Sequence, residues 1–112
     1  TFHNDTLILN LAFNYGGRSE IVKAVKKLAE DKVIPSEISE RQIEARLYTK
    51  GIPDPDMVIR TAGEMRLSNF LIWQSAYSEY YSTETLWPDF SESDVSKAID
   101  VYRSRNRKFG EL

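Results

Sequence analysis

No cysteine occurs in the 112 residues, so disulfides, thiolate catalysis and cysteine-based metal sites are excluded, while a reducing compartment is permitted. Histidine is nearly as scarce. Its single instance, His3, sits near the beginning among polar neighbours and reads as a surface residue, so this chain cannot build a histidine triad or cage. No apolar run approaches the roughly twenty residues that cross a bilayer, and the first residues lack the pattern of a signal peptide. The formal net charge of -2 offers no broad basic face, which argues against a nucleic-acid partner. Any strong anion site has to be assembled locally.

What remains is an ordinary globular composition, 41% apolar and 29% charged, in a length that suits one modest core and not two domains. The first residue is threonine, and strand-like "TLILNLAF" follows almost at once, so the chain reads as the interior of a larger one.

Leu7 to Phe13 reads as an apolar strand of the kind covered on both faces. After "NYGGRSEI", Arg18 to Asp31 has a helical stripe of Ile21, Val25 and Leu28, flanked by Val22 and Ala29. Ser39, three residues before Gln42, opens a short helix that runs to near Gly51. "GIPDPD" leads into a strand over Asp56 to Thr61, Gly63 to Ser68 forms a loop, and Asn69 to Tyr77 reads as a helix. "YYSTETLWPDF" begins as a strand and breaks at Pro88. Ser91 then caps a last helix with Val95, Ala98, Ile99, Tyr102 and Phe109 near one face and Gly110 as its terminator.

That order predicts an α/β fold with a mainly parallel sheet and flanking helices, with the strand ends at Phe13/Asn14 and Arg60/Thr61 on one edge. Three strands make a thin sheet, so the chain is expected to be an incomplete portion of a larger single domain, spanning 1–112.

One run resists a packing explanation. Val58 to Trp73, "VIRTAGEMRLSNFLIW", crowds two arginines, a glutamate, a serine and an asparagine between apolar ends, although such groups are costly to bury. Arg60, Arg66 and Ser68, with free amides at a helix start, could hold an oxygen-rich anion, and guanidinium forks suit phosphate. The plainer alternative pairs one arginine with Glu64, leaves the other in solvent and uses Ser68 as a cap. In "NYGGRSEI", the glycines allow close backbone approach, and Asn14 with Arg18 could orient a substrate or a neighbouring loop. Glu79 and Asp89 are either carboxylates for a magnesium ion or ordinary surface and turn residues.

"NYGGRSEI", "DMVIRTAGEMRLSNFLIWQSAYSE", "WPDF" and "YRSRNRKFG" resemble successive motifs of the cis-prenyltransferase family, the undecaprenyl diphosphate synthases and their relatives, over Leu9 to Gly110. The resemblance implies a homodimeric transferase that condenses isopentenyl diphosphate onto an allylic diphosphate, creating cis double bonds along an apolar tunnel. It implies a cytoplasmic enzyme, with peripheral membrane contact through its lipid product. By the same resemblance Arg60, Arg66 and Ser68 grip the isopentenyl diphosphate, Glu79 is the carboxylate associated with Mg2+, and Asn14, Arg18 and Asp56 belong to the catalytic surroundings. Trp87 and Asp89 match a motif that orders the site; Phe70, Leu71 and Trp73 read as packing. Met65 stands where some relatives carry histidine, so it offers no proton transfer, and Lys108 stands where arginine is frequent.

The family's early Asp-Gly-Asn-Gly-Arg motif is absent from this sequence, as is a tunnel-lining segment. The chain is therefore expected to correspond to the C-terminal half of the enzyme and to be inactive without an N-terminal half. Two other readings stand beside this one: a non-catalytic partner subunit, and an unrelated phosphate-binding module.

Overall fold

The computed structural model describes residues 6–105. Helix α1 spans Gly17–Glu30, α2 Glu40–Glu44 and α3 Glu92–Ser104; strand β1 is Met57–Arg60 and β2 is Glu79–Ser82. Single 3-10 turns lie at Pro35–Glu37 and Trp87–Asp89. The strands run parallel, with Met57 opposite Glu79 and Arg60 opposite Ser82. The architecture is the expected one, helices flanking a parallel sheet, though among the described residues that sheet has two strands.

The expected strand over Leu7 to Phe13 is not formed. Leu7, Ile8, Leu9, Leu11 and Phe13 are each more than two-thirds exposed, and no segment among the described residues pairs with them. A strand is completed by a neighbour that satisfies its amides and carbonyls, and apolar side chains do not supply one.

Helix α1 forms where its periodicity predicts, yet it presents a different face. Gly17, Glu20, Ala24 and Leu28 are buried, whereas Val22 and Val25 are about half exposed. A carboxylate thus replaces two valines in the interior. Glu20 is 1% exposed and is satisfied on both oxygens: Oε1 accepts from the Tyr48 amide at 2.7 Å, and Oε2 accepts from the Tyr15 hydroxyl at 2.5 Å and Gln74 Nε2 at 3.2 Å. Such pairing is what permits a carboxylate to be buried. Burial, reinforced by the bond to Glu20, pushes the Tyr15 hydroxyl well above the usual tyrosine range.

The same network shortens α2. Ser39 caps it as expected, its Oγ accepting from the Gln42 amide at 3.4 Å, but the helix stops at Glu44 and tight turns follow toward Gly51. The Tyr48 amide, which a continuing helix would bond to its own turn, is taken by Glu20. Arg46 ties the two helices together, with Nε and Nη2 on Asp31 at 3.0 and 2.6 Å. At the far end of α1, Lys32 adopts a left-handed φ of 57°, and the Lys32 and Val33 amides close back on the Ala29 and Leu28 carbonyls. This is a Schellman ending without a glycine.

Helix α3 starts at the expected cap. The Ser91 amide and hydroxyl both donate to Asp94 Oδ2, at 2.9 and 2.7 Å. These two donors, the hydroxyl first, hold the Asp94 carboxyl below its ordinary range. The helix ends at Ser104, and Arg105 Nη1 reaches Glu79 at 2.9 Å and the Tyr80 carbonyl at 2.8 Å. Phe109 and Gly110, expected on its face and at its end, lie outside the described residues, as does His3.

Glu20→Ala in the full-length protein is expected to cost about 2–4 kcal/mol in urea unfolding, because buried donors lose their acceptor. Since the folded pKa of Asp94 is depressed, the stability it adds is present above about pH 4, the unfolded value, and is lost as pH falls through the folded one. Asp94→Asn should remove that portion of the acid-unfolding profile.

Candidate functional site

Arg60 ends β1, and the chain then reverses through Ala62 and Gly63, both left-handed at φ 61° and 65°. Their amides bond the Thr85 and Thr83 carbonyls at 3.0 and 2.9 Å, which fastens the turn to the segment leaving β2. Ser82 Oγ donates to the Glu64 carbonyl at 3.0 Å and sets the next residue. The Glu64 side chain then becomes the meeting point: Arg60 Nη2 lies 3.4 Å from Oε2, and Arg66 Nη2 forms an ion pair with the same oxygen. Arg60 Nη2 also donates to Ser68 Oγ at 3.3 Å.

The structure therefore brings Arg60 and Arg66 onto one carboxylate, with Ser68 held against Arg60. Both arginines pair with Glu64, where the plainer alternative gave it one and left the other in solvent, although Arg66 remains 66% exposed. Beside them Val58, Tyr80 and Tyr81 help enclose a cavity of about 290 Å3 that Arg60, Glu64 and Arg66 also line. Two guanidinium groups converging on a carboxylate are equally suited to the oxygens of a phosphate.

The expected helix over Asn69 to Tyr77 is replaced by a succession of turns. Ser68, Asn69 and Leu71 have φ of 48°, 64° and 42°, values a right-handed helix does not contain. Ser68 is accordingly not a helix cap, and the amides of a helix start are not part of the site. Asn69 instead turns toward α1: its carbonyl accepts from the Gly17 amide at 2.7 Å and its Oδ1 from the Arg18 amide at 2.9 Å. The glycine-arginine motif thus holds the neighbouring loop through its backbone amides, without the side chains of Asn14 or Arg18.

The other predicted residues lie apart. Arg18 is exposed beyond that amide, and Asn14, left-handed at φ 49°, lines a separate, mostly apolar cavity of about 400 Å3 with Phe13, Tyr15, Tyr48 and Phe70. The Asp56 carbonyl accepts from the Glu79 amide at 3.0 Å, at the amino end of the sheet. Glu79 stands opposite Met57, three residues before Arg60, so about 10 Å of strand separates it from the arginine level. Its carboxylate is paired with Arg105. Among the described residues no group of three Asp, Glu, His or Cys is placed to hold a metal ion. Trp87 is exposed and stacks on Phe90, and Asp89 closes the same 3-10 turn.

Glu20 and Gln74 were given no part in the sequence, and Asn69 stood there only within the polar run and as the first residue of a helix. A signal existed for two of them: asparagine tolerates left-handed backbone, and Glu20 lies four and eight residues before the buried Ala24 and Leu28.

A family model described as undecaprenyl diphosphate synthase matches residues 1–110. The chain belongs to the undecaprenyl diphosphate synthase family. An isoprenyl transferase of Heliobacterium mobile is 54% identical over 98% of this chain and 44% of its own length. Lavandulyl diphosphate synthase from Lavandula x intermedia, solved with dimethylallyl diphosphate, matches with a TM-score of 0.81 and 47% identity, over 87% of this chain and 44% of that one. A "probable undecaprenyl diphosphate synthase" of Campylobacter jejuni matches with a TM-score of 0.84 and 38% identity, over 98% and 50%. This member of the undecaprenyl diphosphate synthase family thus spans about half the length of the curated relatives it matches.

A Cβ on Gly63 would meet Glu84 Oε2 at 2.6 Å and hold an unfavourable φ. Gly63→Ala should lower stability by about 1–2 kcal/mol in thermal unfolding. Adding Glu84→Ala should not restore it, because the strain is in the backbone.

Proposed function

We propose that the protein carrying this chain is a cis-prenyltransferase in which Arg60, Arg66 and Ser68 hold the diphosphate of isopentenyl diphosphate. The observation that carries this reading is the convergence of both guanidinium groups on Glu64, with the Ser68 hydroxyl bonded to one of them, Arg60. In the reaction the allylic carbon–oxygen bond breaks as diphosphate leaves, the terminal carbon of the isopentenyl unit bonds to that carbon, and a proton leaves the isopentenyl unit. The arginines contribute placement: they fix one end of the substrate so that its double bond meets the allylic carbon. They also hold negative charge without a covalent nucleophile, in keeping with a chain that has no cysteine.

The allylic diphosphate is assigned to residues outside these 112, because the sequence has no Asp-Gly-Asn-Gly-Arg motif. The chain by itself is accordingly read as inactive. Magnesium belongs to the same proposal, and when bound it would neutralise diphosphate charge. Glu79 would offer it one carboxylate, but that carboxylate is paired with Arg105 and stands away from the arginine level, so the described residues do not complete a magnesium site. A homodimer, a cytoplasmic location and peripheral membrane contact complete the reading. No helix among the described residues is long and apolar enough to cross a membrane.

Calorimetric titration of the full-length protein with isopentenyl diphosphate tests it. Binding should be strengthened by magnesium and weakened roughly tenfold to a hundredfold by Arg66→Ala, the range for a charge-assisted contact. Equal affinity for inorganic phosphate, together with an indifferent Arg66→Ala, would sink the assignment.

A further inference from the structure

We propose that Asn69 is a positioning residue for the diphosphate grip, acting through the amino end of α1. The inference rests on the assignment of Arg60, Arg66 and Ser68 given above. Its starting point is the shape of the loop. Ser68, Asn69 and Leu71 all hold left-handed φ values, a conformation that costs a non-glycine residue roughly 1–2 kcal/mol and persists only when surrounding contacts hold it.

The contacts that hold it come from fifty residues earlier. An α-helix begins with amides that have no partner in the helix, and Gly16 has no side chain to cap them. Asn69 takes two, the Gly17 amide on its carbonyl and the Arg18 amide on its Oδ1. The approach is close enough to require glycine on the helix side: a Cβ on Gly17 would lie 2.7 Å from Ile72 Cγ1 and 3.1 Å from the Asn69 carbonyl oxygen. Farther along, Gln74 donates to the buried Glu20, so α1 holds the loop at both ends.

Only the Asn69 contact adjoins the grip. Ser68 precedes it directly, and the Ser68 hydroxyl accepts from Arg60 Nη2. Fixing Asn69 therefore fixes where Ser68 stands and, through it, the head of Arg60. Because both amides are occupied by Asn69, the amino end of α1 serves as an anchor for the loop and not as a second anion site.

The test is steady-state kinetics on the full-length protein with each substrate varied in turn, beside thermal unfolding. Asn69→Ala should raise KM for isopentenyl diphosphate roughly fivefold, the worth of one hydrogen bond, while KM for the allylic diphosphate and kcat stay near the wild-type values. Asn69→Asp keeps the Oδ1 acceptor at a helix amino end and should return KM to within about twofold. Gly17→Ala, which alters the helix and leaves the loop sequence intact, should reproduce the selective rise and carries the test if Asn69→Ala does not fold. Wild-type KM for both substrates in Asn69→Ala and Gly17→Ala would overturn the proposal. So would a fall in Tm accompanied by equal losses toward both substrates, which is the signature of a merely structural role. An unchanged KM in Arg66→Ala would instead remove the diphosphate assignment itself, whatever Asn69 does.

Discussion

A helix that starts on two glycines has to find its first acceptors elsewhere. In this chain they are the carbonyl and side-chain oxygens of Asn69, and much of the remaining architecture follows from that demand. It rotates α1 so that Gly17 and Glu20 face inward, and it converts the stretch after Ser68 from a helix into turns. Glu20 extends the constraint one turn further, drawing in Tyr15, the Tyr48 amide and Gln74. Polar contacts, rather than apolar bulk, thereby join the first helix to the loop that carries the arginines; the buried apolar side chains among the described residues are Ala24, Leu28, Leu47 and Ala98.

What could be read from sequence was what is decided locally. Both ends of α1, the start of α3, the caps at Ser39 and Ser91, and strand β1 depend on neighbours a few residues away, and they formed within a few residues of their expected bounds. The failures share a different cause. Leu7 to Phe13 finds no pairing edge among the described residues, α2 loses an amide to a side chain twenty-eight residues distant, and the run from Asn69 is claimed by α1. Each outcome depends on a partner remote in sequence, and periodicity carries no information about such partners.

The site divides along the same line. Arg60, Arg66 and Ser68 lie within nine residues, and their clustering in the chain became clustering in space. Asp56 was joined to them by family resemblance alone, Asn14 and Glu79 by resemblance added to patterns with plainer alternatives, and within the described residues the three occupy another cavity or the other end of the strands. Membership of the undecaprenyl diphosphate synthase family and a span of about half the curated relatives' length frame that dispersal without assigning those three a task.

The carboxylate between the two arginines has a further consequence. A cationic cradle that already holds its own anion attracts newcomers weakly from a distance, because the far field of the pair is partly cancelled. On the proposed assignment occupancy is an exchange, in which Glu64 returns to water as the diphosphate settles. A headgroup with several negative charges can repay that eviction at close range, whereas a singly charged ion merely replaces like with like. The chain thus carries its own competitor, tethered one turn from the groups it occupies.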